Sequence, residues 1–230
     1  MEAIVLAGGK GTRLREVVSD VPKPMAPISG QPFLALLLNH LAEKGISRVV
    51  LSIGYMAQVI QDYFGETYAG LEIDYVVEPQ PLGTGGAVRL ALEKIRSDHV
   101  FIFNGDTFLD LEISEIEALW IKERKPLIVG REVNDTSRYG RLLTEGSVAT
   151  GFTEKGVEGP GLINGGCYVL QAHQLDEFLV GSNFSFELDF LAPAVKQRQF
   201  GVFITHGKFI DIGIPEDFHR AQIELSEFLK

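Results

Sequence analysis

The chain has 230 residues, enough for one domain with a substantial core and too few to expect two or three. Hydrophobic residues make up 45% and charged residues 23%, which excludes disordered, collagen-like and low-complexity classes. With 21 Lys and Arg against 31 Asp and Glu the net charge is -10, which argues against a broad basic face for nucleic acid or for an anionic membrane. Any anionic ligand must therefore be met by cations gathered in one place. Cys167 is the only cysteine, so there is no internal disulfide, and without a Cys/His ligand set a zinc site is not expected. The apolar N-terminal run is too short for a signal peptide, and no stretch approaches the roughly 20 apolar residues of a membrane span. The expectation is a cytoplasmic protein.

Short β-branched runs alternate with helix-like segments along the first half, the pattern of an α/β protein with a mostly parallel sheet. Strands are expected at 3–7, 48–53, 72–77, 99–104 and 127–131. The segment 32–44 carries Leu34, Leu37, Leu38 and Leu41 at helical spacing, with Pro32 before it and Gly45 after it, which predicts a core-facing helix. From Tyr139 to Leu170 glycines punctuate short strand-like pieces, predicting an antiparallel insert over about 139–170. A closing helix begins at Pro215, with Glu216 and Asp217 in its first turn and Phe218, Ala221, Leu225 and Phe228 turned toward the sheet. No repeat or Pro/Ser-rich linker divides the chain, so 1–230 is read as one domain.

The first strand runs into Gly8-Gly9-Lys10-Gly11-Thr12-Arg13-Leu14. Glycines let successive backbone N–H groups converge on phosphate oxygens, and an arginine adds a bidentate contact. The spacing is neither Walker A nor the dinucleotide fingerprint, and an ordinary glycine turn reads equally well from these residues alone. Further on, the strand at 99–104 ends in Gly105-Asp106, and the carboxyl end of a central strand is where open α/β sheets place ligands. The five histidines make no metal or triad pattern.

Gly-Gly-x-Gly-Thr-Arg-Leu followed by Pro22-Lys23-Pro24-Met25 resembles the signature of the sugar-1-phosphate nucleotidylyltransferases. The resemblance spans essentially the whole chain. It implies a Rossmann-like α/β fold: a mixed, mostly parallel sheet flanked by helices, with a small antiparallel sugar-binding insert. It further implies that Leu6, Ala7, Gly8, Gly9, Gly11 and Thr12 meet the nucleotide together with Glu78, Gly83, Thr84, Asn104 and Gly105. Arg13 and Lys23 are the implied catalytic cations, Arg13 on the leaving pyrophosphate with help from Lys10, and Lys23 on phosphates at the reacting centre. Asp106 and Asp211 are the implied Mg²⁺ ligands. Tyr139, Gly140, Glu154, Lys155, Asn164 and Glu187 are the implied sugar-phosphate contacts. Several of these positions also have local readings: Thr84 as a helix N-cap, Ser185 as a helix start, and Tyr139-Gly140 as a turn.

The run Leu82-Gly83-Thr84-Gly85-Gly86-Ala87 looks most like the loop of the guanylyltransferases, which implies GTP and a sugar 1-phosphate as ligands, with mannose 1-phosphate or another sugar 1-phosphate and UTP, dTTP or CTP as the alternatives, and with no nucleic acid and no membrane. Residues 15–20 depart from the Pro-Leu-Thr of many relatives. Two other classes share the architecture. A binding-only regulator would lack cationic or metal residues that are present here. A phosphocholine cytidylyltransferase would want an aromatic cage, and the single tryptophan, Trp120, matches no such position. Symmetry statistics favour a homodimer.

Overall fold

The computed structural model describes residues 1–9, 11, 14, 18, 20–153 and 155–228. In chain order its elements are β1 (Glu2–Leu6), β2 (Pro27–Ile28), β3 (Gln31–Pro32), α1 (Phe33–Glu43), β4 (Arg48–Ile53), α2 (Ala57–Phe64), β5 (Thr67–Tyr68), β6 (Leu71–Val77) and α3 (Gly83–Leu92). There follow β7 (His99–Asn104), β8 (Thr107–Leu109), α4 (Ile113–Glu123), β9 (Leu127–Val133), β10 (Leu142–Glu145), β11 (Val148–Phe152) and β12 (Gly161–Gln171). A π-helical stretch (Phe186–Leu191) leads into α5 (Ala192–Lys196), and β13 (Gly201–Thr205), β14 (Phe209–Asp211) and α6 (Pro215–Glu224) complete the chain.

Ten strands form one sheet in the order β10-β11-β13-β9-β12-β7-β1-β4-β6-β5. The pairs β1/β4, β1/β7, β4/β6 and β9/β13 are parallel, while β12 runs antiparallel to both β7 and β9. The glycine-rich insert is antiparallel as its punctuation predicts, yet its longest strand, β12, lies in the middle of the main sheet. A strand buried on both faces is apolar throughout rather than alternating, and β1 shows why: Ala3 and Val5 face one core with α1 and α4, and Ile4 faces another with α3 and α5.

The leucines of α1 are fully buried as expected, and so are Phe33 and Leu36 on its other flank. That flank packs against a third cluster. Phe218, Ala221 and Leu225 of the closing segment join Leu36, Phe108 and Ile210 there, so α6 covers the small β8/β14 ribbon and α1 rather than the main sheet. This corrects the expected facing of the last helix, and the reason is topological: β14 leaves the main sheet to pair with β8. Among the described residues no helix is long and apolar enough to cross a membrane.

Candidate active site

The carboxyl ends of β1, β4, β6 and β7 open onto a cleft of about 1060 Å³, the position that the topology of open α/β sheets assigns to ligands. One wall is built from Leu6 at the end of β1 with Ala7, Gly8 and Gly9 after it, Glu78 after β6, Gly83 and Thr84 at the start of α3, and Asn104 at the end of β7 with Gly105 after it. The opposite wall holds Tyr139, Lys155, Asn164 and Glu187. Lys23, Asp106 and Asp211 line the same space. Two expected residues stand off it. Gly11, at φ +57°, backs Lys23, and a Cβ there would come within 2.6 Å of the lysine Cβ. Gly140 is buried behind the wall, its N–H donating to Thr136 O at 3.1 Å. Lys10, Thr12, Arg13 and Glu154 lie outside the described residues.

The short helical turn Lys23–Met25 is flanked by prolines that fix its backbone, and it carries Lys23 Nζ to 2.5 Å from Asp106 Oδ2. Asp211 ends β14, where its register partner is Thr107, next to Asp106. The Ile212 N–H donates to Asp106 O at 3.0 Å, which ties the two acidic segments together. Burial, and after it the Asp106 charge, pushes the Asp211 carboxyl above the usual aspartate range, with Lys23 and the Gly213 N–H (2.7 Å from Oδ1) opposing the shift. Two hard oxygen donors that repel each other fit a divalent cation. Among the described residues no group of three or more acidic, His or Cys side chains surrounds such a position, so the remaining ligands would be substrate phosphates and water, as is usual for Mg²⁺.

The nucleotide-side and sugar-side walls are joined directly. Thr84 does not cap α3: the cap position is Leu82, and no side chain bonds there. Instead Thr84 Oγ1 donates to Glu187 Oε2 at 2.7 Å and accepts from the Phe186 N–H at 2.9 Å. This approach depends on Gly83, at φ +70°, where a Cβ would lie 2.5 Å from Phe184 O. The N-cap expectation fails because a tertiary partner takes the hydroxyl. Ser185 does start its helix, its Oγ accepting from the Leu188 N–H at 3.1 Å.

Glu78 is half-buried, which raises its carboxyl, and its Oε2 accepts from the Leu82 N–H at 3.0 Å, bracing the loop before α3. Asn164 Nδ2 donates to Tyr168 OH at 2.7 Å and its Oδ1 accepts from the Gly166 N–H at 3.1 Å. The sequence reading passed over Tyr168, Ser52 and Gly54, all in the cleft wall. Ser52 and Gly54 were open to discovery, since the rule that pointed to Asp106 applies equally to the carboxyl end of β4. Tyr168 carries no such signal: it reads as one more apolar strand residue, and burial pushes its phenol well up.

The profile of the family described as Nucleotidyl transferase matches residues 2–227. The chain belongs to this family. A D-glycero-alpha-D-manno-heptose 1-phosphate guanylyltransferase of Aneurinibacillus thermoaerophilus is 42% identical over 230 residues, covering all of both chains. One of Campylobacter jejuni is 39% identical, covering 97% of this chain and 99% of its own. HddC from Yersinia pseudotuberculosis superposes with a TM-score of 0.88 at 38% identity over 98% of this chain and 99% of its own, and its complex with GMP-PN with 0.86 at 37% over the same shares. Nucleotidyl transferases of this kind are enzymes that generally work with a divalent metal.

Proposed function

We propose that the protein forms GDP-D-glycero-α-D-manno-heptose and pyrophosphate from GTP and the heptose 1-phosphate. The observation that carries this reading is the single cleft in which the glycine-lined end of β1, the α3 loop and the β12 wall converge on Lys23, Asp106 and Asp211. It is supported by full-length similarity to proteins of that name.

A sugar 1-phosphate oxygen bonds to the α-phosphorus of GTP while the bond to the bridging oxygen of the β-phosphate breaks, releasing pyrophosphate. The attacking phosphate monoester has a second pKa of about 6 and is largely dianionic at neutral pH, so no general base is needed. Catalysis then rests on alignment and charge. Leu6, Ala7, Gly8, Gly9 and Thr12 with Glu78, Gly83, Thr84, Asn104 and Gly105 hold the nucleotide, while Gly11 leaves room for the Lys23 stem. Tyr139, Glu154, Lys155, Asn164 and Glu187 hold the sugar phosphate, Lys155 at its phosphate. Lys23 draws the reacting phosphates together and Arg13 takes charge developing on the pyrophosphate. Mg²⁺, held by Asp106 and Asp211, supplies further positive charge to the phosphates when bound.

Pyrophosphate release with Mg²⁺, measured for heptose 1-phosphate and mannose 1-phosphate against GTP, UTP, CTP, ATP and dTTP, tests the reading. Turnover confined to GTP and fastest with the heptose is expected. Preference for another nucleotide discards the base assignment, and silence with every pair discards the reaction.

A further inference from the structure

Lys23 and a divalent cation have the same use for Asp106. The chain engages both oxygens of that carboxylate: Lys23 Nζ stands 2.5 Å from Oδ2, and Thr107 Oγ1 donates to Oδ1 at 3.3 Å. The neighbouring Asp211 keeps its Oδ1 on the Gly213 N–H. A lysine ammonium is a compact, strongly hydrated point charge, and a hard divalent cation takes the same carboxylate oxygens. At such distances the two positive charges repel each other strongly, so one oxygen serves the ammonium or the metal and not both.

The backbone and stem of Lys23 are held, and its charged end is not. The Met25 N–H donates to Pro22 O at 2.7 Å and the Ala26 N–H to Lys23 O at 3.0 Å, which closes the turn around the lysine. The stem lies along Gly11, where a Cβ would come within 2.6, 3.3 and 3.4 Å of Lys23 Cβ, Cγ and Cδ. The swing left to the residue is therefore that of its ammonium. Asp106 is held from behind, since its carbonyl accepts from the Ile212 N–H, and its carboxylate is 38% exposed. Among the described residues the cleft sets Glu78, Asp106, Glu187 and Asp211 against Lys23 and Lys155. A polyphosphate entering between such walls pulls on the ammonium beside its path.

We propose that Lys23 gates the metal: its ammonium competes with a divalent cation for Asp106, and a polyphosphate opens the carboxylate by drawing the ammonium away. Metal and polyphosphate then bind with positive coupling, each raising the affinity for the other by the same factor. The inference rests on the metal-assisted phosphate chemistry of the proposed function and not on its choice of base or sugar.

The test titrates the full chain with Mn²⁺, first alone and then with saturating inorganic tripolyphosphate, following water-proton relaxation, which separates metal on the protein from metal on free polyphosphate. With Mn²⁺ alone Lys23→Met should bind about tenfold or more tightly than wild type, because a unit charge beside the cation is gone. Adding Asp106→Asn to that variant should cancel the gain. Lys155→Met removes a cleft charge that is exposed and screened, so its effect should stay below about threefold. With tripolyphosphate present, wild type and Lys23→Met should converge. Lys23→Gln, which also loses the charge, serves where Lys23→Met does not fold. An affinity unchanged in the Lys23 variants overturns the competition, as does an equal gain in Lys155→Met or a gain that survives Asp106→Asn. A gap that persists with tripolyphosphate overturns the opening by phosphate. Metal binding is read without turnover, so silence in the pyrophosphate assay leaves this test standing.

Discussion

The two ends of β1 handle charge in opposite ways. At the amino end Glu2 is buried and accepts from Ser97 N at 2.7 Å, Arg96 N at 3.0 Å, Ser97 Oγ and Arg48 Nη1, while Arg48 also reaches Asp74. Those hydrogen bonds outweigh burial and hold the Glu2 carboxyl below its usual range. At the carboxyl end Asp211 is pushed upward by burial and by Asp106. One end is a closed network that stabilises the fold. The other holds two carboxylates, Asp106 and Asp211, beside Lys23 in the cleft, as expected where stability is traded for function.

The largest effect that would sharpen this contrast is on turnover. Asp211→Asn should lower kcat by about 100-fold or more, and Arg13→Ala by a similar order, comparable to loss of an electrostatic donor elsewhere. Pyrophosphate release measures both, and full activity in either variant removes that residue's assigned role. In metal-free buffer Asp211→Asn should melt no lower than wild type near pH 7. A carboxyl raised in the folded state contributes its full stability below its unfolded value of 3.8 and loses it as pH rises through the folded value.

Glu2→Gln should do the reverse, leaving kcat unchanged while costing about 2 kcal/mol, because it removes the charge of a buried carboxylate that accepts several hydrogen bonds, while Arg48 keeps Asp74. Denaturant unfolding reads that loss, and a stability within error of wild type would dissolve the comparison. Next comes Thr84→Val, which removes the tie to Glu187. We expect the KM for sugar phosphate to rise about fivefold, near the 1 kcal/mol of one hydrogen bond, with the KM for GTP less affected. A change confined to the KM for GTP would show that Thr84 acts on the nucleotide loop alone. The smallest effect is in pH dependence. Glu2 contributes its full stability above the unfolded value of 4.5 and loses it as pH falls through the lowered folded value, so the melting gap between wild type and Glu2→Gln should narrow below pH 4.5.

Much of the site was legible because its elements are local. The strand into Gly8-Gly9, the proline-flanked Lys23 and the Asp106 after β7 are each written in a few consecutive residues, and local backbone chemistry decides them. Thr84 was misread because a hydroxyl near a helix start has a generic local use, and nothing nearby announces a partner more than a hundred residues later. Tyr168 was invisible because a strand's outward polar atom matters only when the neighbouring wall is known.

By itself the amino-acid sequence determined the α/β alternation, the buried leucine face of α1, the antiparallel character of the insert and the glycine-lined first turn, since periodicity and turn chemistry act over short distances. The tertiary structure alone decided that β12 enters the middle of the sheet, that α6 packs on the β8/β14 ribbon, and that Asp106 and Asp211 share one cleft. Those outcomes depend on strand pairings between distant segments, whose register is set by burying both faces of the sheet at once.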